Sequence, residues 1–176
     1  MTTATAKPTD KVPFRTRNDI PIKQREAIDK MLNERLSDLN DLRSQTKHAH
    51  WNVKGHHFFS LHFAFDKFAA TLTEYIDTVA ERITALGGVA HGTVRMAATG
   101  TTLDEFPADT FEGVAVARVL ADRYAAAANA VREGIALADE HKDAGTADML
   151  TDVVRDLDQY LWFLEAFLTD GTRPAE

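Results

Sequence analysis

Four residues of this 176-residue chain have types and spacing suited to metal chemistry: His62, Asp66, Asp77 and Glu81. Imidazole nitrogen and carboxylate oxygen are ligands for iron or zinc. All four fall on one helical stretch, Phe59 to Leu86, beside an apolar stripe of Leu61, Phe65, Phe68, Leu72, Ile76, Val79, Ile83 and Leu86. At about 100° per residue the polar stripe fills an arc of roughly 100° and lies about 130° from the centre of the apolar one. Ligand chemistry therefore points away from the face that buries the fold.

The spacing excludes a site within this helix. Asp66 and Asp77 are eleven residues apart, about 16 Å along an α-helix, whereas metal ligands lie within about 2.3 Å of their ion. The two pairs nevertheless share one midpoint, between Thr71 and Leu72. Two copies of the helix packed antiparallel about a dyad there bring His62 to the partner's Glu81 and Asp66 to the partner's Asp77. A patch that complements itself in this way is what an isologous two-fold interface needs. The alternative is a solvated acidic face with one stray histidine.

The preceding helix favours the metal reading. Its apolar series Leu32, Leu36, Leu39, Leu42 and Ala49 runs beside Leu36, Leu39, Arg43, Thr46 and His50, so the inner stripe turns polar toward its end. Gly55 is placed to stop this helix as a C′ glycine, which brings His50 close to His62 and Asp66. Trp51 beside it reads as a packing residue, or as an acceptor of oxidising equivalents next to a redox centre.

Composition narrows the class. One well-packed domain is the natural size for this length. Cysteine is absent, which removes thiolate sites, disulfides and cysteine nucleophiles. No apolar run approaches a membrane span of about 18 residues, and the N-terminus has no signal-peptide core, so a cytoplasmic protein is expected. Net charge is −7; residues 1–21 carry +2, leaving −9 for the remainder. That first stretch is rich in Thr, Lys and Pro and reads as a disordered arm. Its four cations allow only weak, non-specific and strongly salt-dependent DNA binding. The body follows over 22–169, with a short tail at 170–176.

Periodicity and punctuation predict helices over Ile22–Asn52, Phe59–Leu86, Gly113–His141 and Thr146–Leu168. Gly87-Gly88 closes the second, and a crossover at 89–112 holds one short helix near Thr93–Ala98. Two short links and one long crossover make an all-α ferritin-like four-helix bundle. The usual single-subunit di-iron signature, Glu-x-x-His on two helices, is missing, as is His-Glu-x-x-His. Ligand-type residues without the intrachain arrangement agree with a site shared between subunits.

These residues resemble a known family. Lys47-x-x-His50-Trp51-Asn52-Val53-x-Gly55, His62-x-x-x-Asp66, and Asp77-x-x-Ala80-Glu81-Arg82 with Leu86-Gly87-Gly88 are similar to the signature of the Dps family, the miniferritins. Residues 155–165 are similar to its last helix. The resemblance implies a homo-dodecameric hollow shell. Such a shell oxidises Fe(II), preferably with hydrogen peroxide, stores Fe(III) mineral and protects DNA from oxidative damage. It implies iron ligands His50, His62 and Asp66 from one subunit, with Asp77 and Glu81 from its two-fold mate. It also implies acidic three-fold pores, to which Asp139, Glu140, Asp143 and Asp148 correspond in position. His48, His56, His57, His91 and His141 match no ligand position. The alternative function is a nucleoid-associated DNA-binding protein with little ferroxidase activity.

Overall fold

The computed structural model describes residues 12–171. Its helices are α1 (Ile22–Asn52), α2 (Phe58–Ala85), α3 (Val94–Gly100), α4 (Gly113–Glu140) and α5 (Ala144–Leu168), and among the described residues there is no strand element. Helix α1 matches its expected bounds and the others shift by one or two residues, as helix ends do.

Two antiparallel hairpins, α1/α2 and α4/α5, pack face to face, and the 86–112 crossover runs the length of the bundle with α3 against α1. The expected apolar stripes form the core. Leu32, Leu36, Leu39 and Leu42 of α1 are sealed from solvent, with Phe65, Leu72 and Ile83 of α2, Leu120 and Tyr124 of α4, and Leu150 and Leu157 of α5. Each such side chain contributes about 1.5–3 kcal/mol on burial. The buried Tyr124 hydroxyl meets Thr46 Oγ1 at 3.2 Å. Phe68 stacks on Tyr160 at 4.1 Å, and the Tyr160 hydroxyl meets Thr71 Oγ1 at 2.7 Å.

Helix ends are set by local chemistry. Glu112 accepts from Ala115 N at 3.0 Å and so caps α4. After α2, Gly87 N donates to Thr84 O and Gly88 N to Ile83 O, with Gly87 at φ +89°, which is a Schellman stop. A side chain at Gly87 would also strike Phe14 O at 2.5 Å. The expectation for Gly55 is corrected. Val53 caps α1, and Gly55, at φ +100°, serves the following turn, where Phe58 N donates to its carbonyl.

The arm and tail need division. Residues 1–11 and 172–176 lie outside the described residues. The stretch Val12–Ile20, assigned to the arm by its composition, is docked: Val12 is buried and Phe14 N donates to Gly87 O at 3.0 Å. Arg25 ties both sides of this contact, donating from Nε to Ile20 O and from Nη1 to Leu86 O.

The link between α4 and α5 corrects one pore residue. Asp143 is buried and accepts from Arg82 Nη2 at 2.6 Å and from Thr146 N at 3.0 Å, capping α5. Burial pushes its carboxyl up, but the Arg82 and Thr146 hydrogen bonds outweigh that and hold it below the ordinary carboxylate range. A side chain so engaged cannot line a pore, whereas Asp139, Glu140 and Asp148 remain exposed.

The same link holds Lys142 at φ 59°, in the C′ position of a second Schellman stop. Left-handed backbone costs a residue with a Cβ about 1 kcal/mol, and glycine avoids it. Lys142→Gly should therefore stabilise the protein by about 0.5–1 kcal/mol, read as a raised guanidinium midpoint. An unchanged or lowered midpoint would contradict the assignment.

Candidate metal centre

His50 lies in the last turn of α1 and His62 in the second turn of α2, so the tight 53–57 link folds them together. Their rings stack at 3.8 Å with 19° between planes. Each ring is locked by the other's backbone: His50 Nδ1 lies 2.7 Å from His62 O, and His62 Nδ1 lies 2.9 Å from His50 O. A carbonyl only accepts, so both Nδ1 atoms carry the proton. In the neutral rings this leaves each Nε2 with a free lone pair, the tautomer that a metal needs.

Asp66, one turn after His62, joins this pair. Its Oδ1 is 4.0 Å from His50 Nε2 and accepts from Lys47 Nζ at 2.7 Å. The hydrogen bond from Lys47 holds the Asp66 carboxyl below its ordinary range, against a smaller opposing push from desolvation. Lys47 thus rests on a candidate ligand as a cation, with its ammonium 5.7 Å from the centre of the exposed Trp51 ring. Ligand-based reading gave Lys47 no role. The available signal was its position three residues before His50, which places both on one face of α1.

Asp77 and Glu81 stand apart from these three. Both are exposed on α2, toward its other end. Among the described residues no three His, Asp or Glu side chains of one chain form a group able to hold a metal. The structure therefore brings together His50, His62 and Asp66 within one end of a face, and leaves Asp77 and Glu81 at the other. Thr73 lies between, its hydroxyl bonded to Arg43 Nε at 2.8 Å.

The comparisons with known proteins settle the lineage. The family model for the ferritin-like domain matches residues 29–173. A "DNA protection during starvation protein" of Agrobacterium fabrum is 39% identical over 156 residues, covering 89% of this chain and 96% of the relative. The chain belongs to the Dps family. Among solved structures, DpsA14 of Streptomyces coelicolor superposes with a TM-score of 0.88 at 33% identity, covering 96% of this chain and all of that one. A Dps protein of Vibrio cholerae, described as a member of a superfamily of ferritin-like diiron-carboxylate proteins, gives 0.79 at 27% identity and covers 84% of this chain and 92% of that one. In this Dps chain the bundle also lacks any helix long and apolar enough to cross a membrane among the described residues.

The Lys47–Asp66 pair yields a titration test. A carboxylate depressed by a partner contributes stability fully above its unfolded value, and loses it as pH falls through the folded one. Lys47→Met should raise the Asp66 titration toward the ordinary carboxylate range, followed by isotope-edited infrared on metal-free protein. The stability difference between the two proteins should vanish in acid. An Asp66 titration unmoved by the substitution would show that Lys47 is not the cause.

Proposed function

We propose that this Dps protein oxidises Fe(II) at sites shared between two subunits and stores the Fe(III) product as mineral inside a homo-dodecameric shell, protecting DNA from oxidative damage. The observation that carries this reading is the mutual lock of His50 and His62, which leaves an Nε2 lone pair on each ring in its neutral form, beside the ionised Asp66. Asp77 and Glu81 of the partner subunit complete the donor set about the midpoint that both pairs share. Metal ligands cannot span the roughly 16 Å between Asp66 and Asp77 of one helix.

Iron is the substrate here. Carboxylates stabilise the higher charge of Fe(III) more than that of Fe(II), so Asp66, Asp77 and Glu81 favour oxidation, while the imidazoles supply neutral donors. Hydrogen peroxide is the preferred oxidant. Two Fe(II) ions give one electron each, the O–O bond breaks, and two protons complete two waters, leaving two Fe(III). Consuming peroxide as a two-electron oxidant releases no hydroxyl radical, and this is the protective step. Lys47 and iron compete for the negative charge of Asp66, whose Oδ1 the ammonium holds. We place the protein in the cytoplasm, where the arm allows weak nucleoid contact that several arms on one shell would strengthen.

Two measurements test the reading. Stopped-flow oxidation of Fe(II) should be much faster with peroxide than with oxygen, and rates equal to those without protein would reject a ferroxidase. Co-assembly of His62→Ala and Glu81→Ala chains tests the shared site. In a mixed dimer one site carries both substitutions and the other carries neither. Random pairing should therefore recover about one quarter of the wild-type sites. No recovery in verified mixed dimers would place each site within one chain.

A further inference from the structure

The face that carries the ligands holds another exposed side chain that the ferroxidase reading does not use. Phe63 follows His62, is 59% exposed, and packs with the rings of Phe59 at 4.8 Å and of His62, edge-on, at 5.6 Å. At the opposite end of the same face lies an open groove of about 450 Å³, whose lining includes Leu36, Ile76, Ala80, Ala90 and Gly92 together with the polar Thr73 and Asp77. Ala80, Ala90 and Gly92 are small, which leaves room for a ring. Phe63 and Ala80 share the midpoint of His62 with Glu81 and of Asp66 with Asp77.

We propose that Phe63 of each chain seats in the partner's groove over Ala80, and is the positioning residue that sets the register of the shared site. This rests on the two-chain reading above and deepens it. Charge complementarity supports a second copy as the occupant. The Phe63 end of the face carries Lys47 and the exposed Lys67 against the one carboxylate of Asp66, Arg43 sits between the ends on Thr73, and the groove end carries Glu74, Asp77 and Glu81. Antiparallel pairing therefore lays a cationic end on an acidic one. A slip of three residues puts the ring on Asp77, desolvating a carboxylate, and a slip of four the other way carries it past the groove to Thr84. The ring thus excludes neighbouring registers as well as favouring one. With Phe63 seated, Asp66 faces the partner's Asp77 and His62 the partner's Glu81.

A size swap tests the contact, because the dyad makes each dimer carry it twice. Phe63→Ala empties the groove and Ala80→Phe fills it against the incoming ring. Each should cut the initial Fe(II)–peroxide rate about tenfold or more, since ångström-scale misplacement of reacting groups is that costly. Anaerobic Fe(II) binding should weaken in parallel, with helical circular dichroism unchanged. The double variant Phe63→Ala/Ala80→Phe restores one ring per groove and should recover most of both losses, a coupling that independent sites do not show. Phe63→Leu should retain most of the rate. Single variants with wild-type rates, or a double variant no better than the worse single, would overturn the seating of Phe63. The co-assembly of His62→Ala with Glu81→Ala separates the two ideas. Recovery there with a failed swap rejects Phe63 alone, and no recovery rejects the shared site together with it.

Discussion

A straight helix is a ruler, and that rigidity governs this protein. Each residue of α2 advances about 1.5 Å, so acids eleven positions apart cannot converge on one ion however the rest of the chain folds. The bundle can bring α1 to α2, and it does so at one end, where His50 reaches His62 and Asp66. Nothing in one chain brings the other end of α2 back. Asp77 and Glu81 are therefore left exposed, and in the function proposed above a second copy of the same face completes the set.

The half that one chain builds is held stiffly. Thr46, one turn before His50, is fully buried; its hydroxyl donates to Leu42 O and meets the Tyr124 hydroxyl, joining α1 to α4. Phe68, below His62 and Asp66 on α2, stacks on Tyr160 of α5. Each side of the histidine pair is thus tied to the second hairpin through the core, while the pair satisfies its own Nδ1 protons on backbone carbonyls. Ligands positioned by buried packing and backbone bonds lose little conformational freedom when an ion arrives. Lys47 offsets the charge of Asp66.

Charge and backbone chemistry also decide what the ends of the bundle do. Arg25 and Arg82 are both used as braces, one clasping the incoming chain to the end of α2, the other holding the start of α5. Asp143 shows why an acidic cluster in sequence is poor evidence for a pore. Its neighbours face water, but it is drawn inward by a guanidinium and by the unpaired N–H groups of a helix start.

The sequence by itself determined the helices, the crossover, the apolar stripes and the separation of the candidate ligands along α2, because these follow from periodicity and from distance along a helix. The five ligand candidates were legible for the same reason. Tertiary structure alone decided how His50 and His62 lock each other's tautomers, that Lys47 sits on Asp66, that Asp143 is buried, and that Val12–Ile20 is docked. Each of these depends on which side chains meet across elements distant in the chain. Composition records that a lysine or an aspartate is present, whereas its partner is chosen by the packing that surrounds it.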